Sequence, residues 1–166
     1  KFVLILMLII NQLNAQENVP VNGYVRNYTG VLTKEPNNFS IIQNTFDVNF
    51  EKRSDKIAFK FNPYVHHYTD KKLEIGLREA YLDMYFKNFD IRVGKQQIIW
   101  GKAEGVFITD VVSPKDLREF LLPDFDEIRT GITSIKLNYF KGSHTFEVVW
   151  APVFTPTQMP DDNSIW

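Results

Sequence analysis

Apolar and polar residues alternate at every second position over long stretches of the chain, most clearly in residues 77–101. This period is typical of β-strands, whose successive side chains point to opposite faces of a sheet. In this stretch one face carries charged and polar groups and the other is apolar. The apolar positions are Ala80, Leu82, Met84, Phe86, Ile91 and Val93. The pattern predicts two antiparallel strands joined by a tight turn.

The same alternation along the rest of the chain predicts about seven strands in all. They are expected at residues 23–32, 40–51, 56–68, two within 77–101, 128–140 and 144–154. Pro63 lies inside the third and predicts a β-bulge or a fraying strand end, because proline cannot donate to the ladder. Most of these strands have about 10–13 residues, whereas an average soluble strand has roughly 5–6. A tilted strand that crosses a bilayer needs about 9–11.

The length of the connections between the predicted strands depends on which strand they follow. Those after the second, fourth and sixth strands are short ("KRSDK", "KNFD" and "KGS"), whereas those after the first, fifth and seventh are longer. The short "TDKK" after the third strand is the exception. Outer-membrane barrels have short periplasmic turns and longer outer loops, and a soluble sandwich has no reason for such sorting. We therefore predict an all-β fold, an antiparallel up-and-down transmembrane β-barrel of which about seven strands are present.

In such a barrel the apolar face contacts lipid and the polar face lines the lumen. Leu82, Met84, Phe86, Ile91 and Val93 are accordingly assigned to lipid. The predicted lumen-lining residues are Glu79, Tyr81, Asp83, Tyr85, Arg92 and Gln96. If Lys87 pairs with Asp90 across the turn, Tyr85 lies opposite Arg92 and Tyr81 lies opposite Gln96. Lys95 and Gln97 then fall on the lipid side, which places them in the headgroup zone or requires a bulge.

The long connection at residues 102–127 carries a helix signal. Ser113 is a capping hydroxyl, Pro114 suits the first helical position and Asp116 falls in the first turn. These residues predict one short helix over residues 115–122, ended by Pro123. Two interpretations are open: an outer loop with an incidental helix, or a constriction loop folded into the barrel. In the second, the residues that narrow the pore are Lys115, Asp116, Arg118 and Glu119.

The chain opens "KFVLILMLIINQLNAQ", with one basic residue, a short apolar run and a small residue at a plausible cleavage site. This layout predicts a signal peptide at residues 1–15 and export to the Gram-negative outer membrane. The apolar run is too short for a membrane-spanning helix, which needs roughly 20 residues. Residues 16–166 are expected to be the N-terminal part of the barrel.

The composition limits the chemistry that the chain supports. A net charge of −1 excludes a strongly basic nucleic-acid binder, and the lack of cysteine excludes disulfides and thiolate metal sites. His66 and His67 are adjacent and would point to opposite faces of a strand, so they do not share a metal. Glu79 and Asp83 are more simply solvated carboxylates than a glycosidase pair. We expect no enzymatic activity, no metal and no cofactor.

Three segments carry a family resemblance: "LREAYLDM…FDIRVGKQQIIWGKAEG", "DVVSPKDLREF" and "VVWAPVFTPTQMPDDNSIW". They resemble an uncharacterised family of bacterial outer-membrane porin-like barrels, a domain of unknown function that is similar to alginate-export-type barrels. The strand ending that matches consists of Arg92, Gly94, Gln96, Trp100 and Gly101. The resemblance covers about residues 77–166. It implies that the loop after the fifth strand and the proline-rich segment after the seventh fold together over or into the pore.

These observations predict a porin-like channel that passes or binds a small hydrophobic or polymeric substrate. Its expected partners are outer-membrane lipid, the transported substrate and, during biogenesis, the barrel-assembly machinery, with no nucleic acid. One alternative is a secreted soluble β-sandwich that binds glycans, in which the apolar faces would form a buried core. Another is an outer-membrane enzyme, which ranks last because the chain has no visible pairing of nucleophile and base.

Overall fold

The computed structural model describes residues 19–31, 39–69, 72–100, 110–119 and 123–160. The predicted signal peptide lies outside the described residues. The strands are β1 (Val21–Val31), β2 (Phe39–Arg53), β3 (Ile57–His67), β4 (Leu73–Tyr85), β5 (Phe89–Gln96), β6 (Ile132–Lys141) and β7 (His144–Trp150), and a single-turn helix, α1, spans Phe125–Ile128.

The seven strands form one sheet in the order β1-β2-β3-β4-β5-β6-β7, and each is antiparallel to its neighbours. The prediction of an all-β, up-and-down antiparallel arrangement is therefore confirmed. In the described part of the chain, β1 and β7 are the two edges of the sheet. None of the helices described is long and apolar enough to cross a membrane.

The bulge predicted at Pro63 is confirmed. Asn62 lies opposite Glu79 but Pro63 lies opposite Leu77, so Arg78 is an extra residue on β4. The bulge brings Arg78 and Glu79, neighbours in sequence, onto the same face of the sheet. Without it, one of these two charged side chains would point to the apolar face.

The predicted register of the β4–β5 hairpin is wrong by two residues. Tyr85 was expected opposite Arg92, and Tyr81 opposite Gln96. The pairs are instead Asp83 with Arg92, Tyr81 with Gly94, and Tyr85 with Asp90. The turn closes one position earlier than expected, because the Phe86 N–H donates to the carbonyl of Phe89 at 2.9 Å. This register also sets the opposite charges of Asp83 and Arg92 directly across from each other.

The two faces of the sheet have inverted burial compared with a soluble protein. Large apolar side chains on one face are exposed, among them Val25, Phe46, Phe61, Ile75, Leu82, Val93, Phe146 and Val148. Polar side chains on the other face are buried: Gln43, Thr45, Asp47, Asn62, His66, Glu79, Asp83, Gln96 and Ser134. In most soluble proteins charged residues are fully buried only rarely. We call these the apolar face and the polar face.

Residues 110–119 and 123–131, which we call the inner segment, lie against the polar face. The helix predicted over residues 115–122 is wrong at 115–119: Lys115 bridges to Arg129 and Asp116 to Gln158; residues 120–122 lie outside the described part. The Ser113 hydroxyl caps no helix, because it accepts a hydrogen bond from the Ile98 N–H at 2.8 Å and donates to the Ile98 carbonyl at 3.2 Å.

The end of β5 turns toward the inner segment. Gly94 has a φ of +133°, and a Cβ there would lie 2.3 Å from the carbonyl oxygen of Ala80, so the close approach of the two strands requires glycine. Beyond the strand, the Gln97 amide donates to the carbonyls of Asp126 and Arg129, both at 2.8 Å. Gln97 therefore faces the inner segment and not the apolar face.

Candidate functional site

Four of the predicted lumen-lining residues form one cluster on the polar face. Arg92 binds Asp83 through two hydrogen bonds, Nε to Oδ1 at 2.6 Å and Nη2 to Oδ2 at 2.9 Å. Its guanidinium group stacks 3.9 Å from the centre of the Tyr81 ring. The Tyr85 hydroxyl donates to Asp83 at 3.2 Å. The side chains of β4 and β5 thus hold each other in fixed positions.

Two further ion pairs lie on the polar face, on β2, β3 and the bulge of β4. Lys60 binds Glu79 at 2.6 Å, and Arg78 binds Asp47 at 2.7 Å. The backbone N–H of Gln97 also donates to Glu79 at 3.0 Å. Asp47 and Glu79 each have a cationic partner, so these two pairs are charged but locally neutral.

Gln96, the sixth predicted lumen residue, is completely buried. Its amide nitrogen donates to the Ser134 carbonyl at 3.1 Å, which ties β5 to β6. It lies on the polar side of the sheet, as expected, but its side chain joins two strands and is closed to solvent.

Asp110 anchors the inner segment. It is buried and accepts hydrogen bonds from the Trp100 N–H at 2.9 Å and from Arg129 through Nε at 2.9 Å and Nη2 at 2.8 Å. Both ends of the inner segment are thereby joined to each other and to the chain that leaves β5. The sequence offers no local sign of this role, because the partners of Asp110 come from two separate stretches.

Arg118, a predicted constriction residue, crosses from the inner segment to the sheet. Its guanidinium group binds Asp116 at 2.5 Å and Glu74 on β4 at 3.1 Å, and it lies 5.0 Å from the centre of the Tyr68 ring. The hydrogen bonds to Asp116 raise the pKa of Arg118 above its usual range. Arg118 is therefore a fixed positive charge on this surface.

Glu119, the next residue, points at β2 and β3. It accepts a hydrogen bond from the Gln43 amide, and its carboxylate lies 3.9 Å from His66 Nε2. Burial raises the pKa of Glu119 to about 7. Of the four predicted constriction residues, Arg118 and Glu119 contact the polar face directly.

Lys115 joins the inner segment to the chain that follows β7. Its backbone N–H donates to Thr157 Oγ1 at 3.2 Å, and its carbonyl accepts from the Gln158 N–H at 2.8 Å. The Leu117 N–H donates to the Gln158 carbonyl at 2.9 Å. The loop after β5 and the proline-rich segment after β7 therefore fold together, as the resemblance implied.

Glu127 on α1 makes contacts with the sheet that the sequence did not suggest. It binds Arg26 on β1 at 2.5 Å, accepts a hydrogen bond from the Tyr24 hydroxyl and lies 3.5 Å from Arg78 on β4. The pairing with Tyr24 spans 103 residues of sequence. Only the tertiary fold brings these groups together, and they fix α1 against the polar face.

A cleft of about 280 Å³ lies between the inner segment and strands β1 to β4. Arginines stack on tyrosine rings along its wall, in the pairs Arg26 with Tyr28, Arg78 with Tyr64, and Arg118 with Tyr68. Carboxylates from β4 and the inner segment balance these cations. Such a wall offers several hydrogen-bond donors and acceptors to a bound solute. The described stretches hold no group of three or more potential metal ligands.

Comparison with known proteins gives one family. A family model described as "Protein of unknown function (DUF1302)" matches residues 15–160. The resemblance to an uncharacterised family is therefore confirmed, whereas the description of that family names neither a barrel nor an export function. No curated protein and no solved structure matches the chain.

Proposed function

The chain belongs to the family described as "Protein of unknown function (DUF1302)", and we propose that it acts as a porin-like channel of the Gram-negative outer membrane. In this proposal the sheet is part of the wall of a closed antiparallel barrel, whose closure requires partners for the free edges of β1 and β7. The apolar face contacts lipid, the polar face contacts the lumen, and the inner segment narrows the passage.

The inverted burial of the two faces is the observation that carries this proposal. Val25 is 77% exposed and Ile75 is 74% exposed, while polar side chains on the opposite face are buried. Keeping apolar surface in water costs about 25 cal/mol for each Å². Large exposed apolar surfaces mark contacts with membranes or other proteins. A lipid environment removes this cost over the whole face.

Strand length and connection length support the same proposal. β1, β2, β3, β4 and β6 have between 10 and 15 residues, enough for the roughly 9–11 that a membrane-spanning strand needs. The turns at residues 54–56, 86–88 and 142–143 all lie at one end of the sheet, and the longer connection between β5 and β6 leaves and re-enters the sheet at the other end. This asymmetry is typical of outer-membrane barrels.

The two rival functions have less support. A glycan-binding sandwich needs a second sheet packed on the apolar face, whereas the described residues form a single sheet. A glycosidase-like enzyme would need Glu79 and Asp83 as a working pair. Both carboxylates are instead engaged by cations, Lys60 and Arg92 respectively.

The identity of the substrate stays a prediction. A small hydrophobic or polymeric compound was expected from the sequence. The arginine, tyrosine and carboxylate side chains of the cleft favour a solute that forms hydrogen bonds, because they offer several donors and acceptors. Lipid and the barrel-assembly machinery remain the partners that a barrel of this kind requires.

We expect Asp83→Asn to shift the ion selectivity of the full-length channel toward anions. The substitution removes one negative charge beside Arg92 and keeps the shape of the side chain, so the barrel should still fold. The measurement is the reversal potential of the reconstituted protein across a planar bilayer in a salt gradient. Asp55→Asn, in the exposed turn between β2 and β3, is the matched control.

The control should leave the reversal potential almost unchanged, because Asp55 lies in a turn outside the strands. Equal shifts in the two variants would contradict the assignment of Asp83 to the lumen. If the unaltered protein conducts no ions in the bilayer, the proposal of a channel is wrong.

A further inference from the structure

One contact between the inner segment and the sheet is built on a carboxyl group to which none of the described cations is bound. Glu119 is largely buried, and its hydrogen-bond partner is the neutral amide of Gln43. Among the described residues the nearest basic atom is His66 Nε2 at 3.9 Å, beyond hydrogen-bonding distance. The adjacent cation, Arg118, is already bound by Asp116.

The charged and titratable groups around Glu119 come from three strands, from the connection after β3 and from the inner segment. They are Arg26 from β1, His66 from β3, Glu74 from β4, Tyr68 just after β3, and Asp116 and Arg118 from the inner segment itself. The two arginines are held in other ion pairs, and Asp116 adds a negative charge nearby. An ionised Glu119 is therefore poorly compensated in its docked position.

Two buried atoms beside Glu119 have no hydrogen-bond partner among the described residues. They are Gln43 Oε1 and His66 Nε2, and both are shielded from solvent. His66 Nδ1 is engaged by Thr45 Oγ1 at 3.0 Å. A protonated carboxyl group both donates and accepts, so Glu119 can satisfy one of these atoms after a small shift.

We propose that Glu119 is a proton-controlled latch, which in its protonated form holds residues 115–119 against β2 and β3 and on ionisation releases them. The latch concerns the docking of the inner segment on the sheet. The test of the latch is therefore independent of the test of the proposed channel.

The direction of the pH dependence follows from burial. Burial raises the pKa of Glu119 to about 7 in the docked state, above the ordinary value of 4.5. A group whose pKa is raised by docking stabilises the docked state below its ordinary pKa. This stabilisation is lost progressively as the pH rises through about 7. Acid conditions therefore dock the inner segment, and alkaline conditions release it.

The test uses a nitroxide spin label on the inner segment. These 166 residues contain no cysteine, so Leu117→Cys is the single labelling site within them, and any cysteine elsewhere in the full-length protein is replaced by serine. Electron paramagnetic resonance spectra are recorded in detergent between about pH 5 and about pH 9. We expect the mobile fraction of the spectrum to rise several-fold, with a midpoint near pH 7. A spectrum that does not change over this range would overturn the latch.

Three further variants, each combined with the labelled cysteine, assign the effect. Glu119→Gln keeps the shape of the protonated side chain and should stay immobile at every pH. Asp126→Asn, an exposed carboxylate on α1, should keep the full transition. Gln43→Ala removes the docking partner and should be mobile throughout. The latch is overturned if the label in Glu119→Gln still becomes mobile as the pH rises, or if the label in Gln43→Ala stays immobile. The result for Gln43→Ala tests the latch even if Glu119→Gln does not fold.

Discussion

Replacing Phe61 with arginine is expected to destabilise the folded protein in lipid by about 2–4 kcal/mol, the cost of a cation near the bilayer midplane. Phe61 lies near the middle of β3 on the apolar face, opposite Phe50 on β2 and Ala80 on β4. Its side chain is 43% exposed. In lipid the guanidinium group loses its hydration, whereas in water the same exposure would leave it solvated.

The matched control is Phe154→Arg. Phe154 is 88% exposed and lies outside the strands, so the same exchange should change the stability by no more than about 0.5 kcal/mol. The measurement is the free energy of unfolding in urea for the full-length protein folded into lipid vesicles. If Phe61→Arg is tolerated as well as Phe154→Arg, the apolar face does not contact lipid.

Replacing Asp110 with alanine is expected to cost about 3–5 kcal/mol, the penalty for breaking a buried ion pair by removing one partner. Asp110 accepts hydrogen bonds from Arg129 and from the Trp100 N–H, and both the carboxylate and the guanidinium group are largely shielded from solvent. The variant leaves a buried cation with a weaker, exposed partner. The inner segment should then separate from the end of β5.

Asp126→Ala serves as the control for this prediction, because Asp126 binds the same arginine. The pair with Arg129 is 3.3 Å long, but the Asp126 side chain is 89% exposed. Exposed ion pairs contribute about 0–1 kcal/mol, so this variant should be almost as stable as the unaltered protein. Urea unfolding compares the two. Equal losses would show that the burial of Asp110 does not determine its contribution.

The strands could be predicted from the sequence because their signal is local. A period of two residues is set by the strand itself, and the bulge at Pro63 follows from the missing N–H of proline. The chemical character of each face could be predicted for the same reason. Which face is buried could be inferred only from strand and connection lengths.

The errors arose where distant partners decide the structure. Ser113 has the features of a helix cap, but its hydroxyl group accepts a hydrogen bond from the Ile98 N–H and donates one to the Ile98 carbonyl. Local helix signals are weak compared with such tertiary contacts. The contacts of Asp110 and Glu127 were missed because their partners lie on other elements. The register of the β4–β5 hairpin depends on which residues form the turn, and the sequence at residues 86–89 is compatible with more than one turn.

The most direct test of a membrane barrel is the mobility of the protein on a gel. The complete gene product, purified in detergent from outer-membrane fractions, is run in SDS with and without boiling. A closed barrel resists SDS until it is heated, so we expect a clear shift on boiling and β-type circular dichroism before it. A protein that shows no shift and stays soluble without detergent would contradict the barrel. Its apolar face would then have to be buried against other protein surface.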